Sequence, residues 1–129
     1  MLKNHNIFNK KNILVYGLGK SGLSTFKFLK RENKIYLYDD EKKLYNNEET
    51  KKNLVSYKKL LSKEVDYIII SPGIDINKCR LKSYLKKNLK KIYTDLDIFF
   101  NCYSENKNIT ITGTNGKSTT ASILYEVLR

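Results

Sequence analysis

An apolar run, NILVY (12–16), passes directly into GLGKSG (17–22), and Leu23, Phe26 and Leu29 then recur at helical spacing over 21–31. Strand, glycine turn and helix in that order constrain the rest of the chain. KIYLYDD (34–40) reads as a second strand that ends in acids, followed by a polar loop rich in Asn, Glu and Lys. NLVSY (53–57) reads as a strand, KKLLSKE (58–64) as a short helix, and DYIIIS (66–71) as a strand stopped by Pro72-Gly73. Leu81, Tyr84, Leu85 and Leu89 line one face of a basic helix, and KKIYT (90–94) is a fifth strand. This alternation predicts an α/β fold: a Rossmann-like parallel sheet with helices on both faces. The strands are continuous apolar runs, as expected when both faces of a sheet are covered.

A second unit is expected after residue 93. Thr94 is placed to cap a helix through DLDIFFNCY, with Asp95 and Asp97 in its first turn. NITIT (108–112) reads as a strand and 117–129 as a helix carrying Ile123, Leu124, Val127 and Leu128. The charge also changes there. Of the net +12, none lies in residues 94–129, where Asp95, Asp97, Glu105 and Glu126 outnumber Lys107, Lys117 and Arg129 by one. We read the basic excess of residues 1–93 as a solvated lysine surface. No basic stripe with stacking aromatics marks a nucleic-acid face.

Cys79 and Cys102 are too far apart for a CxxC motif and have no His at metal-ligand spacing, so they are expected as idle thiols in a reducing compartment. The only histidine, His5, is expected at the surface, which leaves no His-based catalytic pair. No apolar run approaches the ~20 residues of a membrane span, and the basic opening lacks a signal-peptide core. The chain is read as cytoplasmic.

GLGKSG fits G-x-G-x-x-G between a strand and a helix, and Asp39 ends the next strand about twenty residues on. Gly17 permits the tight turn, Gly19 lets phosphates approach the backbone, and Gly22 lets the helix pack closely on the strand. The helix start offers free N–H groups to an anion. Taken alone the motif predicts NAD(P) binding, with Asp39 accepting from a ribose hydroxyl or merely capping a turn. SPGI (71–74) ends another strand at the same edge, where Gly73 can bring bare backbone to a base or sugar.

TGTNGKST (112–119) again sits between a strand and a helix. Backbone N–H groups from Gly113, Thr114, Asn115 and Gly116 can wrap a phosphate. Lys117 would meet the β- and γ-phosphates of ATP, the Ser118 hydroxyl would reach Mg²⁺, and Thr119 adds a hydroxyl. The loop is shorter than the usual P-loop, with Ile111 where that pattern has glycine.

VYGLGKSGLS (15–24), SPGI (71–74), TDLDIFF (94–100) and ITGTNGKST (111–119), in that order, resemble the N-terminal part of a Mur ligase, in the D-glutamate-adding branch. The resemblance implies that the first site holds UDP, not NAD. It places the uridine nucleotide at Gly17, Gly19, Lys20, Ser21, Gly22, Asp39, Asp40 and Gly73. It implies ATP and Mg²⁺ at residues 113–119, with Lys117 and Ser118 in the catalytic roles. The implied substrates are UDP-N-acetylmuramoyl-L-alanine and D-glutamate, joined through an acyl phosphate, by a monomer with no nucleic-acid or membrane partner. The family's Gly-Asp-x-Glu is Thr94-Asp95-Leu96-Asp97 here, and Asp40-Glu41 stand where Thr and Arg often follow the strand-end Asp. Residues 1–93 are thus expected as a UDP-nucleotide-binding domain and 94–129 as the beginning of a central ATP-binding domain, truncated and inactive alone. A non-catalytic UDP-nucleotide-binding module and an NAD(P)-binding Rossmann protein are the competing readings.

Overall fold

The computed structural model describes residues 7–41 and 47–129. His5 and residues 42–46 of the expected polar loop lie outside the described residues. Four parallel strands form one sheet in the order β2-β1-β3-β4: β1 is Asn12–Tyr16, β2 Lys34–Tyr38, β3 Tyr67–Ile70 and β4 Ile92–Tyr93. The helices are α1 Lys20–Leu29, α2 Glu48–Asn53, α3 Tyr57–Leu61, α4 Lys82–Lys87, α5 Asp95–Cys102 and α6 Lys117–Leu128. The expected parallel α/β architecture is what forms.

The strands bury both of their faces. Ile13, Val15, Leu37 and Ile69 point to a core that includes Phe26 and Leu29 of α1 and Ile98 and Cys102 of α5. Leu14, Tyr16, Ile68 and Ile70 point the other way, onto Leu60 of α3 and Leu85 of α4. Each such aliphatic side chain contributes roughly 1.5–3 kcal/mol through burial, so the two cores together hold the sheet between its helices.

Three expectations need correction. The polar stretch after β2 contains α2, a helix with no apolar period to announce it. Asn47 caps it, its side chain accepting from the Glu49 and Thr50 N–H groups, while Glu48 and Glu49 start it and Lys51 and Lys52 end it. The strand expected at 53–57 shrinks to a bridge between Leu54 and Leu37, with Val55 N–H donating to the Leu37 carbonyl. It has no room to extend, because α2 runs to Asn53 and Ser56 already caps α3. The strand expected at 108–112 does not form. A ladder needs a neighbour, and among the described residues none pairs with it. The fifth strand, expected at 90–94, is real but short, because Leu89–Lys91 tighten into a 3-10 turn before β4.

In α6 no residue is buried, and Ile123, Val127 and Leu128 are each more than half exposed. No helix of the described residues is long and apolar enough to cross a membrane.

The tightest point of the fold is where α1 meets the glycine turn. A Cβ at Gly22 would lie 1.8 Å from the Gly17 carbonyl oxygen, and nothing there can move aside without breaking the turn. Gly22→Ala is therefore expected to cost at least about 3 kcal/mol or to prevent folding. Gly19 has an ordinary φ of −71° and open space around its Cβ position, so Gly19→Ala should cost less than about 1 kcal/mol. Urea unfolding of the two variants measures the contrast.

Candidate functional site

Because β1, β2 and β3 are parallel, their carboxyl ends share one edge of the sheet. The chain leaves β1 towards β2 on one side and later enters β3 on the other, so a topological switch point lies between β1 and β3. Ligand crevices in open α/β sheets form at such points. The glycine turn sits there. Gly17 takes φ +89°, a left-handed conformation that glycine alone adopts freely. Its N–H donates to the Tyr38 carbonyl at 3.0 Å, and the Ser71 hydroxyl donates to its carbonyl at 2.8 Å. The ends of all three strands are thereby tied to one residue.

Asp39 lies just past β2 and reaches across to the same turn. Its Oδ2 accepts from Leu18 N–H at 2.6 Å and its Oδ1 from Glu41 N–H at 2.9 Å. The turn-capping role left open by the sequence is therefore real. Each oxygen still has a second lone pair with which to accept from a ligand hydroxyl. Asp40 is turned inward. Its Oδ2 accepts from the Tyr16 hydroxyl at 2.8 Å and from Arg80 N–H at 3.2 Å, while its buried Oδ1 has no hydrogen-bond partner among the described residues. Burial, the Cys79 thiol and the Asp40 carboxylate all push the Tyr16 pKa well above its usual value, so the phenol stays a donor. Asp40 thus fastens the segment carrying Arg80 to the end of β2, whatever further role it has.

Gly19 and Lys20 are exposed at the start of α1, and Gly73 is exposed in the turn closed by Ile74 N–H donating to the Ser71 carbonyl at 3.0 Å. Among the described residues, chain neighbours aside, none comes within 4 Å of a Cβ built on Gly19 or Gly73, so both present bare backbone to solvent. Ser21 is half-buried, and its hydroxyl donates to Asp95 Oδ2 in the first turn of α5. The residues expected at the first site, Gly17, Gly19, Lys20, Ser21, Gly22, Asp39, Asp40 and Gly73, are brought together at one edge. Sequence reasoning missed Ser71 as the clamp on Gly17, Tyr16 as the partner of Asp40, and Asp95 as the partner of Ser21. The first was legible as the polar residue before Pro72-Gly73. The others required knowledge of which strand and helix ends meet.

Helix starts divide in an informative way. α2, α3 and α5 are capped by their own side chains, from Asn47, Ser56 and Thr94. α1 and α6 begin on Gly19 and Gly116 with no capping side chain, as does α4, a six-residue helix, on Leu81. An uncapped helix start leaves N–H groups and a partial positive charge for an outside anion.

The second turn is separate from the first and exposed. Gly113 has φ +146° and Gly116 φ +75°, both glycine conformations. Thr120 N–H closes the first helical turn onto the Gly116 carbonyl. The Lys117 ammonium folds back over its own loop and donates to the carbonyls of Gly113 and Thr114. Ser118 and Thr119 expose their hydroxyls on the first turn of α6. No group of three His, Cys, Asp or Glu among the described residues is arranged to hold a metal. Mg²⁺ commonly takes only one or two protein ligands and fills the rest with phosphate oxygens and water, so a lone Ser118 hydroxyl fits it as one ligand.

Residues 11–92 match a family model described as the N-terminal domain of the Mur ligase MurD-like family. Over 134 residues the chain is 34% identical to the UDP-N-acetylmuramoylalanine--D-glutamate ligase of Rickettsia prowazekii (strain Madrid E), covering 95% of the chain and 28% of that relative. The ligase of the same name from Wolbachia pipientis wMel is 32% identical over 129 residues, with 96% and 25% covered. That from Caldicellulosiruptor bescii is 32% identical over 131 residues, with 92% and 28% covered. The chain thus spans little more than a quarter of the length of these curated relatives. No solved structure matches it.

The contact between Asp39 and Leu18 gives a direct test of how the first turn is held. Asp39→Ala removes a charge-assisted hydrogen bond to a buried N–H group, and should cost about 1.5–3 kcal/mol. Faster exchange of the Leu18 amide, with amides of β3 sped only as far as the global loss of stability requires, is the expected signature.

Proposed function

The chain belongs to the Mur ligase MurD-like family, and from that premise we propose that it forms the N-terminal part of an ATP-dependent ligase that joins D-glutamate to UDP-N-acetylmuramoyl-L-alanine. The observation that carries the reading is the meeting of the glycine turn, Asp39 and the Ser71–Gly73 turn at the switch point, within the stretch that matches the family. Residues 1–93 act as the UDP-nucleotide-binding domain, and 94–129 begin the ATP-binding domain that serves peptidoglycan-precursor and cell-wall synthesis. We place the protein in the cytoplasm, in line with its two free cysteines, and as a monomer.

In this reading the diphosphate of the substrate lies against the uncapped start of α1, beside exposed Gly19 and Lys20. Bare backbone at Gly73 accommodates the base or sugar, and the free lone pairs of Asp39 accept from a donor on the nucleoside. The reaction itself proceeds in two steps. A carboxylate oxygen of the substrate's alanine attacks the γ-phosphorus of ATP, forming an O–P bond as the bond to the ADP oxygen breaks. The amine of D-glutamate then attacks the acyl carbon, loses a proton, and the C–O bond to phosphate breaks to leave the amide. Lys117 leaves the carbonyls of Gly113 and Thr114 for the phosphate oxygens, where its charge offsets that of the transferring group. The loop N–H groups orient the phosphates, and Ser118 would hold Mg²⁺, which supplies charge neutralisation when bound. Positioning and electrostatics carry most of such a transfer, and these residues are suited to both.

Ligands that bind only the folded state raise the melting temperature by mass action. UDP-N-acetylmuramoyl-L-alanine and UDP should each stabilise the chain in a thermal-shift assay, and NADH should not. Stabilisation by NADH alone would overturn the reading. In a ligase that carries this segment, Lys117→Ala should lower the rate of ADP formation by a factor of at least about 10², while leaving UDP binding unchanged. An unaltered rate would remove Lys117 from the mechanism.

A further inference from the structure

The start of α5 meets the start of α1 through one hydrogen bond, and that bond uses the only proton the Ser21 hydroxyl has. Ser21 donates it to Asp95 Oδ2. A hydroxyl offers one donor and two acceptor lone pairs, and a phosphate offers only acceptors. While Ser21 donates to Asp95 it therefore has nothing to give a phosphate oxygen, and the two anionic acceptors want the same proton. The charge of Asp95 adds to the conflict. Among the described residues no cation lies within ion-pair distance of it, so apart from the Ser21 hydroxyl and the first turn of its own helix nothing offsets its charge at the start of α1. Its neighbour Asp97 is committed elsewhere, closing the capping box with Thr94. The cap of α5 is thus complete without Asp95, whose reach to Ser21 is a separate feature.

We propose that Asp95 competes with the phosphate groups of the bound nucleotide for Ser21, so that filling the first site releases the N-terminus of α5 from α1. The proposal rests on the reading of that site as one for a uridine nucleotide. Asp95 acts through Ser21 and touches no ligand, so it is a positioning residue. Its release is local, because Ile98 and Cys102 remain buried in the shared core and keep the rest of α5 in place.

The experiment is isothermal titration of the 129-residue chain with UDP, for the unaltered protein, Asp95→Ala, Ser21→Ala and the double variant, each checked for an intact melting transition. Asp95→Ala should tighten UDP binding roughly three- to tenfold, the size of one partly exposed hydrogen bond or charge contact. In the Ser21→Ala background the same change should gain less than about twofold, because the mediator is gone. Asp95→Asn, which keeps the side-chain shape, is expected to fall between and stands in if the alanine variant does not fold. Unchanged or weaker binding in folded Asp95 variants overturns the proposal while leaving the nucleotide site intact. An equal gain with and without Ser21 also overturns it, since Asp95 would then act by charge alone. If no variant, nor the unaltered chain, binds UDP, the reading of the site falls and this inference with it.

Discussion

The contact between Gly22 and the Gly17 carbonyl is the point on which the rest depends. A side chain of any size at residue 22 would occupy the same space as that oxygen. With glycine there, α1 can begin almost on top of the turn, and its uncapped end faces the switch point. Ser71 then presses on Gly17 from β3, where an added Cβ would lie 2.8 Å from the Ser71 Cβ. Close packing at one carbonyl thus fixes the end of β1, the direction of α1 and the position of the β3 turn together. A helix start whose free N–H groups suit an anion thus comes from geometry that is already needed for folding.

Two kinds of helix start coexist in this chain because they answer to different demands. Where a helix only has to fold, a side chain satisfies its first N–H groups. Asn47, Ser56 and the Thr94–Asp97 capping box do this for α2, α3 and α5, each such cap contributing about 1 kcal/mol. Where the start faces a turn of glycines, as in α1 and α6, the stabilisation is forgone. The fold tolerates the loss at α1 because Phe26 and Leu29 are buried in the core. At α6 no buried residue offsets it, and the turn holds its shape through the glycine conformations and the Lys117 contacts with its carbonyls.

What the sequence made legible was set by the range of the interactions involved. Strands β1, β2 and β3 were readable because burial on both faces demands unbroken apolar runs such as Tyr67–Ile70. The glycine turns were readable because backbone geometry restricts their composition. α2 was hidden because it is held by a cap and by charges at its ends, and such residues equally suit a loop. The strand expected at 108–112 fails for the opposite reason: NITIT has the right composition, but pairing is a property of neighbours, and among the described residues none pairs with it. The same limit applies at the site. Gly17, Gly19 and Gly22 announced themselves, whereas the Tyr16–Asp40 and Ser21–Asp95 contacts join residues 24 and 74 positions apart.

Those long-range contacts change what the acids at this edge are for. A row of carboxylates around a proposed anion site is electrostatically costly, and Asp39, Asp40 and Asp95 all lie at this edge. Asp39 and Asp40 offset that cost by accepting from backbone N–H groups and from the Tyr16 hydroxyl, so their charge is spent on holding the turn and the Arg80 segment in place. Burial and the adjacent carboxylate keep Tyr16 protonated, so the contact with Asp40 persists across the whole neutral range. Asp95 differs in that, among the described residues, only a hydroxyl and its own helix satisfy it. Of the three, it is the one whose partner a phosphate can take without undoing the turn. The turn can therefore stay rigid while the start of α5 remains responsive, a division of labour that follows from which hydrogen bonds are built into the backbone and which end on a side chain.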